Sequence, residues 1–298
     1  MKLIALPLLL VLTIGAATWS IVSNWNLELI SLVLFIFSAI YIFVLEQKIP
    51  LKSHWKPQKR DIASDIKHLL FSAMVFDALG KSLALAMVLW IQRTYFDTLA
   101  FWNEMPFIVS CLAAIVIGEF LPYWYHRISH KGNTNSIISI FLWKVHAIHH
   151  IPTSLNWFKT NWIHPINMFL NTLLKITPLL LLGFSQEVIF IVGTLHVVIA
   201  YASHANIKTH TGFLDYVIVT PRIHQFHHSV ILEEAKNFGN IIPLWDLVFG
   251  TYYNRTGEVK DVGVQESYFN YPKKSKYWKQ LLFPFIGNLK ECCTSKNF

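Results

Sequence analysis

The sequence predicts an all-α fold: a polytopic membrane helical bundle of about four spans plus a hairpin of two more, with a cytoplasmic histidine-rich helical cap. Composition predicts the bundle, because 54% of the 298 residues are hydrophobic and only 14% are charged, whereas soluble domains carry about 25% charged residues. Fourteen histidines predict the cap. This composition argues against an ordinary cytosolic enzyme, and three cysteines are too few for a disulfide scaffold.

Six apolar runs approach the roughly 20 helical residues that cross a hydrocarbon core. They cover residues 3–22, 29–45, 69–91, 105–125, 166–184 and 188–203. Asp77 and Lys81 interrupt the third run at a four-residue spacing, so they can neutralise each other. Lys175 in the fifth run indicates a helix that is not fully exposed to lipid or does not span. The first run has an alternative interpretation, in which residues 1–22 are a cleaved signal peptide.

Basic residues predict the orientation of the spans, because cytoplasmic loops are enriched in Lys and Arg. The connection 46–68 carries six of them, and the connection 92–104 carries one. The stretches 126–165 and 204–298 are therefore both expected on the cytoplasmic side. The net charge of +8 is explained by such loops, and we expect no nucleic-acid partner.

Without a repeat or a linker, 1–298 is predicted to be a single domain. Its expected parts are spans one to four (1–125), a first and second histidine box (126–165), a membrane hairpin (166–203), a single histidine and third box (204–255), and a basic C-terminal tail (256–298).

Nine of the eleven histidines in the two cytoplasmic stretches form three blocks and one single position, and helical spacing places each block on one helix face. They are His126, His130, His146, His149, His150, His204, His224, His227 and His228. Neutral imidazole binds Fe, Zn, Cu and Ni, and nine imidazoles are too many for one ion. A single histidine pair at helical spacing is usually a surface or packing feature. Three blocks on the same side of the membrane favour two metal ions with four or five ligands each.

The order of these blocks resembles the fatty acid hydroxylase superfamily, particularly its bacterial sterol-desaturase-like members. Supporting matches are His126-Arg127, the segment 142–146, His164-Pro165, and the segments 204–207, 220–224 and 245–252. The resemblance covers roughly residues 110–255. The sequence departs from the family pattern at Asn161, where Arg or Lys is usual, and at Glu119, where Asp is frequent.

The resemblance implies a membrane di-iron enzyme that uses O2 and two electrons to hydroxylate an unactivated C–H bond of a lipid, such as a fatty acyl chain or a sterol. Desaturation and ether-lipid cleavage on the same site stay open, and hydroxylation is preferred because most members resembling these boxes perform it. Zinc is an alternative occupant in purified protein.

Electrons are expected from a separate donor, namely a ferredoxin, a cytochrome b5-like protein or a reductase. The chain has no glycine-rich fingerprint for a flavin or nicotinamide dinucleotide. The alternative from another class is a metal transporter or metal-binding membrane protein. It is disfavoured because transporters place ligands near the bilayer midplane, whereas these histidines lie outside the apolar runs.

Four further residues are expected to support the metal ligands. Glu119, seven residues before His126, is placed to accept a hydrogen bond from a ligand's second ring nitrogen, against the alternative of a buried carboxylate paired elsewhere. The family pattern suggests a similar role for Asp246, against the alternative of a turn or cap. His164 is expected to lie next to the ligands at most, and Asn206 to direct a water toward one metal.

Three tryptophans surround the second box and are expected either to line a substrate channel or to anchor the cap at the membrane interface. They are Trp143, Trp157 and Trp162.

Overall fold

A computed structural model describes residues 4–57, 59–95, 101–132, 136–265 and 269–286. Within these residues the fold is all helical, with only two isolated bridges in place of a sheet, which confirms the predicted all-α class. Two predicted segments lie partly outside the described residues. They are the apolar run 3–22, which loses its first residue, and the basic tail 256–298, which loses 266–268 and 287–298.

Twelve α-helices run through the described part of the chain. They are α1 (Ala5–Val22), α2 (Leu27–Lys48), α3 (Lys59–Lys67), α4 (Val75–Tyr95), α5 (Phe101–Glu104), α6 (Phe107–Ser129), α7 (Ile137–His150), α8 (Pro165–Leu181), α9 (Gln186–His204), α10 (Pro221–His227), α11 (Leu244–Val248) and α12 (Tyr277–Leu282).

Five helical segments are long and apolar enough to cross a membrane: α1, α2, the continuous helix Asp61–Thr94, α6 and α9. The third is longer than predicted, because a π-helical segment, His68–Met74, joins α3 to α4 without a break. The predicted hairpin pairs the spanning helix α9 with the shorter α8, which has 17 residues. These helices support an integral membrane protein.

Helix α8 packs closely on α4 because Gly80 has no side chain and because the polar residues near the contact bond to one another. A Cβ atom added at Gly80 would lie 3.0 Å from the carbonyl oxygen of Phe169 and 3.1 Å from Thr172. Lys81 pairs with Asp77 at 2.6 Å, as predicted. Thr172 also donates to Asp77, at 2.7 Å, so the charges inside this span are compensated.

The cap is fastened to the ends of the spans by buried polar contacts. The Glu46 carboxylate accepts hydrogen bonds from the backbone N–H groups of Trp157 and Asn206, both at 2.8 Å. Lys159 pairs with Asp65 at 2.5 Å, and both side chains are buried. These bonds hold the segment after α7 against the ends of α2, α3 and α9.

The C-terminal part of the described chain is fastened to the same segment. His68 in the π-helical segment contacts Gln280 of α12 at 2.7 Å and donates through Nδ1 to the carbonyl of Ile163 at 3.1 Å. His164 donates to the carbonyl of Leu281 at 3.1 Å. Helix α12 therefore lies beneath the loop that follows the second histidine box.

Candidate metal centre

Helix ends position all nine box histidines. His126 lies in the last turn of α6, and His130 is its C-terminal cap. The second box forms the last turn of α7, and His204 is the last residue of α9. Pro221 begins the short α10, which carries the third box. The four helix ends meet, so the cap brings every block of the sequence to one place.

The histidines divide into two clusters whose ligand atoms all lie within 4.8 Å of one another inside each cluster. The five-histidine cluster contains His126, His130, His146, His150 and His227. The four-histidine cluster contains His149, His204, His224 and His228. Side chains four apart on a helix lie one above the other, so the outer pair of each box points to one cluster. The middle histidine, His149 or His227, points to the other.

Ring nitrogens converge in both clusters. In the five-histidine cluster, Nε2 of His146 lies 3.0 Å from Nε2 of His126 and 3.0 Å from Nε2 of His150. In the four-histidine cluster, the Nε2 atoms of His204, His224 and His228 form a triangle with sides of 3.1, 3.2 and 3.3 Å.

Five of these rings are held by their second nitrogen, Nδ1, which donates to an oxygen that can only accept. The five bonds are His126 to the Phe238 carbonyl (2.8 Å), His149 to the Trp162 carbonyl (3.0 Å), His204 to the Ala200 carbonyl (2.9 Å), His227 to the Lys236 carbonyl (2.9 Å) and His146 to the Asn167 side-chain oxygen (3.3 Å). Such bonds fix the tautomer and aim Nε2 at the cluster.

The donor set fits a cation in each cluster. Because Nδ1 carries the proton, Nε2 of His149 and Nε2 of His204 both present lone pairs, yet they face each other at 3.0 Å. His126 and His146 repeat this arrangement. Facing lone pairs repel unless a cation lies between them. Nitrogen ligands about 2.1 Å from one metal lie roughly 3.0 to 3.4 Å apart, which matches the observed spacings.

Burial keeps the cap histidines neutral, the form that binds a metal. Desolvation lowers the pKa of His149 to about 4, although its bond to the Trp162 carbonyl opposes the shift. Burial lowers the pKa of His150, His227 and His228 well below the ordinary value, and neighbouring imidazoles lower it further.

Asp246 holds the backbone segment that contacts His126. Its carboxylate accepts from the N–H groups of Phe238 and Gly239, both at 2.8 Å, and from the Thr251 hydroxyl at 2.6 Å. These bonds hold the segment whose Phe238 carbonyl orients His126. Burial raises the pKa of Asp246, while the three donors lower it.

Glu119 and Asn206 bond to backbone groups and not to the box histidines, so for Glu119 the structure agrees with the alternative of a buried carboxylate paired elsewhere. Glu119 does not accept from a ligand ring; it accepts from the backbone of Asn240 and Ile241, at 2.7 and 2.8 Å, and so holds the same segment as Asp246 from the side of α6. The Asn206 amide bonds both to the N–H and to the carbonyl of Lys52, so it is not directed at a metal.

His164 caps the N-terminus of α8, where its Nδ1 accepts from Ile166 at 3.1 Å. Its other nitrogen donates to Leu281, and neither cluster includes it. Burial lowers the pKa of His164 to about 4.

The three tryptophans have different surroundings. Trp143 lies 5.4 Å from His130, ring to ring, and donates to the Tyr271 hydroxyl at 3.1 Å. Trp162 is fully buried and stacks on His68, so it is not an interfacial anchor, and its carbonyl orients His149. Trp157 packs on Phe158 and Tyr201.

Two cavities open onto the clusters. The cap-side cavity, about 300 Å³, is lined by Trp143, by His130, His150 and His227, and by the cations Arg127, Lys131 and Lys236. The membrane-level cavity, about 100 Å³, reaches both clusters and continues between α8 and α9 to Asn171 and His196. Neither Trp157 nor Trp162 lines either of these two cavities.

Sequence reasoning missed Asn167, which accepts from the Tyr125 hydroxyl at 2.7 Å while it orients His146. The available signal was a row of polar residues at four-residue intervals within an apolar run: Asn167, Asn171 and Lys175. The carbonyls of Phe238, Trp162 and Lys236 leave no signal in side-chain chemistry.

Residues 111–251 match the family model described as fatty acid hydroxylase. This chain belongs to the fatty acid hydroxylase superfamily. All nine box histidines of the hydroxylase-family chain fall inside the matched range, whereas α12 lies outside it.

Three relatives with named activities differ in their sequence identity to this chain. The ornithine lipid hydroxylase OlsE of Rhizobium tropici is 30% identical over 231 residues, which cover 74% of this chain and 66% of the relative. An alkylglycerol monooxygenase of Danio rerio is 25% identical, covering 46% of this chain and 29% of the relative. A very-long-chain aldehyde decarbonylase of Oryza sativa subsp. japonica is 24% identical, covering 55% and 26%.

The hydroxylase-family chain thus spans about two thirds of the first of these relatives and under a third of the other two. No solved structure matches it. The family supports an oxidoreductase that modifies lipids.

Proposed function

We propose that this protein is a membrane-bound di-iron oxygenase that hydroxylates a C–H bond of a lipid. The observation that carries the proposal is the pair of histidine clusters, in which facing Nε2 lone pairs call for a cation in each. The reaction consumes one O2, two electrons and two protons. One oxygen atom enters the C–H bond to give an alcohol, and the other leaves as water.

In this proposal the five-histidine cluster holds one iron ion and the four-histidine cluster holds the other. Iron at this site would supply the activation of O2. The residues of the chain hold the ions and exclude water: Phe238 and Trp162 aim ligand rings through their carbonyls, and burial keeps the centre dry. Electrons come from a separate ferredoxin, cytochrome b5-like protein or reductase.

The substrate in this proposal lies across both cavities. Its polar head lies in the cap-side cavity near Arg127 and Lys236, a carbon close to the head lies at the clusters, and the chain descends into the membrane-level cavity. The ornithine lipid hydroxylase relative supports a polar membrane lipid with acyl chains as substrate. The basic connection 46–68 supports a cytoplasmic position for the cap.

The decisive experiment supplies isotopically labelled O2, a reductant with a ferredoxin system, and defined lipids to the full iron-loaded protein. We expect a lipid product heavier by one labelled oxygen atom, with no product from zinc-loaded protein. A product lighter by two hydrogens would show desaturation and overturn hydroxylation. Metal flux into vesicles without any lipid product would overturn the enzyme and favour the transporter.

A further inference from the structure

Polar side chains line one face of each helix of the hairpin α8–α9, within the apolar part of the molecule. On α8 they are Asn167, Asn171 and Lys175, spaced by four residues; on α9, His196 and His204 are spaced by eight, with Ala200 between them. Such residues are costly against lipid, so within membranes they face the interior or a cavity and commonly mark a substrate path.

The membrane-level cavity lies between these two faces. Asn167 and Asn171 line it from α8, and His196, Ala200 and His204 line it from α9. Because a helix rises 1.5 Å per residue, His196 lies about 12 Å along the axis from the ligand His204. The cavity therefore has one end at the histidine clusters and a second, polar end about two helical turns away.

The polar end has hydrogen-bonding groups without protein partners. Lys175 Nζ donates to Nδ1 of His196 at 2.7 Å. An ammonium group cannot accept, so the neutral His196 ring carries its proton on Nε2. Among the described residues, neither this Nε2 nor the side-chain amide of Asn171 has a hydrogen-bond partner, and neither is sealed in the protein interior. Both residues line the cavity.

We propose that His196 and Asn171 form a subsite for a hydroxyl group carried on the lipid chain. A hydroxyl both accepts and donates: its oxygen accepts from His196 Nε2–H, and its O–H donates to the Asn171 side-chain oxygen. This inference rests on the proposed function and deepens it, because the substrate class becomes an oxygenated acyl chain. The subsite fixes which carbon lies at the clusters, about 12 Å away.

The first test measures binding to the metal-free full-length protein in detergent, so that it does not depend on turnover. The probes are stearic acid and the series of its mid-chain hydroxystearic acid isomers. We expect a narrow set of isomers to bind about tenfold more tightly than stearic acid, since one satisfied hydrogen bond in a dry site has that value. Equal affinity of stearic acid and every isomer would overturn the subsite.

Two variants each remove one hydrogen-bonding group of the subsite, the His196 donor or the Asn171 acceptor, and a third serves as a matched control. His196→Leu and Asn171→Leu should abolish the preference for hydroxystearic acid and leave stearic acid binding unchanged. Thr194→Val, on the same helix but lining a different cavity between α2, α4, α8 and α9, should retain it. An unchanged preference in either leucine variant would contradict the proposal. Two leucine variants are used because one can fail to fold, which its thermal midpoint would reveal.

A methoxy analogue of the best isomer, which accepts but cannot donate, identifies the chemistry of the ligand. Binding weaker than that of the hydroxyl isomer agrees with a hydroxyl subsite. Equal binding would show an acceptor-only site, suited to an ester or ether oxygen, and would overturn the hydroxyl assignment.

Turnover separates this inference from the proposed function. In the iron-loaded enzyme, moving the hydroxyl by one carbon should move the oxidised carbon by one carbon, and His196→Leu should give a mixture of positions. If the oxidised carbon did not move with the hydroxyl group, the subsite would not determine the position of oxidation. A hydroxyl preference in binding with no O2-dependent product would overturn the oxygenase and leave the subsite standing.

Discussion

His149 and His227 are the residues whose direction decides the organisation of the centre. Each is the middle histidine of a box, and each lies in the cluster that does not contain the outer pair of its own box. The His149 ring is fixed by the Trp162 carbonyl and the His227 ring by the Lys236 carbonyl. Neither ring can turn toward its sequence neighbours without leaving a buried N–H unsatisfied.

Replacing either middle histidine should remove a different ion. We expect His149→Ala to lose the ion of the four-histidine cluster and His227→Ala the ion of the five-histidine cluster, with loss of activity in both. Metal content by mass spectrometry, with His54→Ala as the exposed control, measures this. Two ions per chain in either variant would refute the ligand assignment.

Removing the Asp246 charge should weaken metal binding without touching a ligand. In Asp246→Asn, an amide N–H group would face the donors that now bind the carboxylate, which loosens the Phe238 carbonyl behind His126. We expect affinity for one ion to fall about 10–100-fold. Competition with a chelator measures the affinity, and the exposed Asp261→Asn is the control. Parent-like affinity in Asp246→Asn would count against this role.

Replacing Trp143 tests whether this tryptophan lines the substrate channel or anchors the cap at the membrane. Because it lines the cap-side cavity beside His130, Trp143→Ala should change which carbon is oxidised, with both ions retained. Trp157→Ala, outside both cavities that touch the clusters, should change only the yield. Product analysis by mass spectrometry measures the position. The same product profile in both variants would place the channel elsewhere.

At the scale of elements, the centre depends on where helices end and how closely they pack. Helix α8 supplies Asn167, which contacts the His146 ring, so the position of α8 in the bundle affects the centre. Its contact with α4 is so close at Gly80 that a methyl group does not fit without a shift.

Gly80→Ala should therefore destabilise the bundle. The added Cβ would meet Phe169 and Thr172 of α8 at 3.0 to 3.2 Å, and overpacking of this kind costs about 1–3 kcal/mol. Thermal unfolding in detergent measures the loss. Gly15→Ala in α1, where nothing lies within 4 Å, is the matched control. Equal unfolding midpoints in the two variants would mean that α4 and α8 accommodate the added methyl group without loss of stability.

Helical spacing predicted that the histidines of each box converge, and in the structure only the outer pair of each three-histidine box shares a cluster. The same spacing could not predict that His149 and His227 point to the opposite cluster, because that depends on how α7 and α10 cross. The metal-side role of Asn206 was wrong for a similar reason: the chain of residues 50–52 packs against it and takes both ends of its amide.

At the scale of the whole molecule, the side on which the cap lies determines which electron donors can reach it. We expect Lys56→Cys and Lys274→Cys to be labelled only from inside, and Asn103→Cys from outside, in a background with Cys111, Cys292 and Cys293 replaced by Ser. Membrane-impermeant maleimide on whole cells and inverted vesicles measures this. Labelling of Lys274→Cys from outside would reverse the topology.

The contacts beneath the second box determine where the functional unit ends. The family match stops at residue 251, yet Gln280 holds His68, His68 holds the Ile163 carbonyl, and Trp162 next to it orients His149. A chain truncated after the matched range would keep every ligand and lose the support under one of them. We therefore expect the smallest fragment that assembles the centre to extend through α12, beyond the matched range.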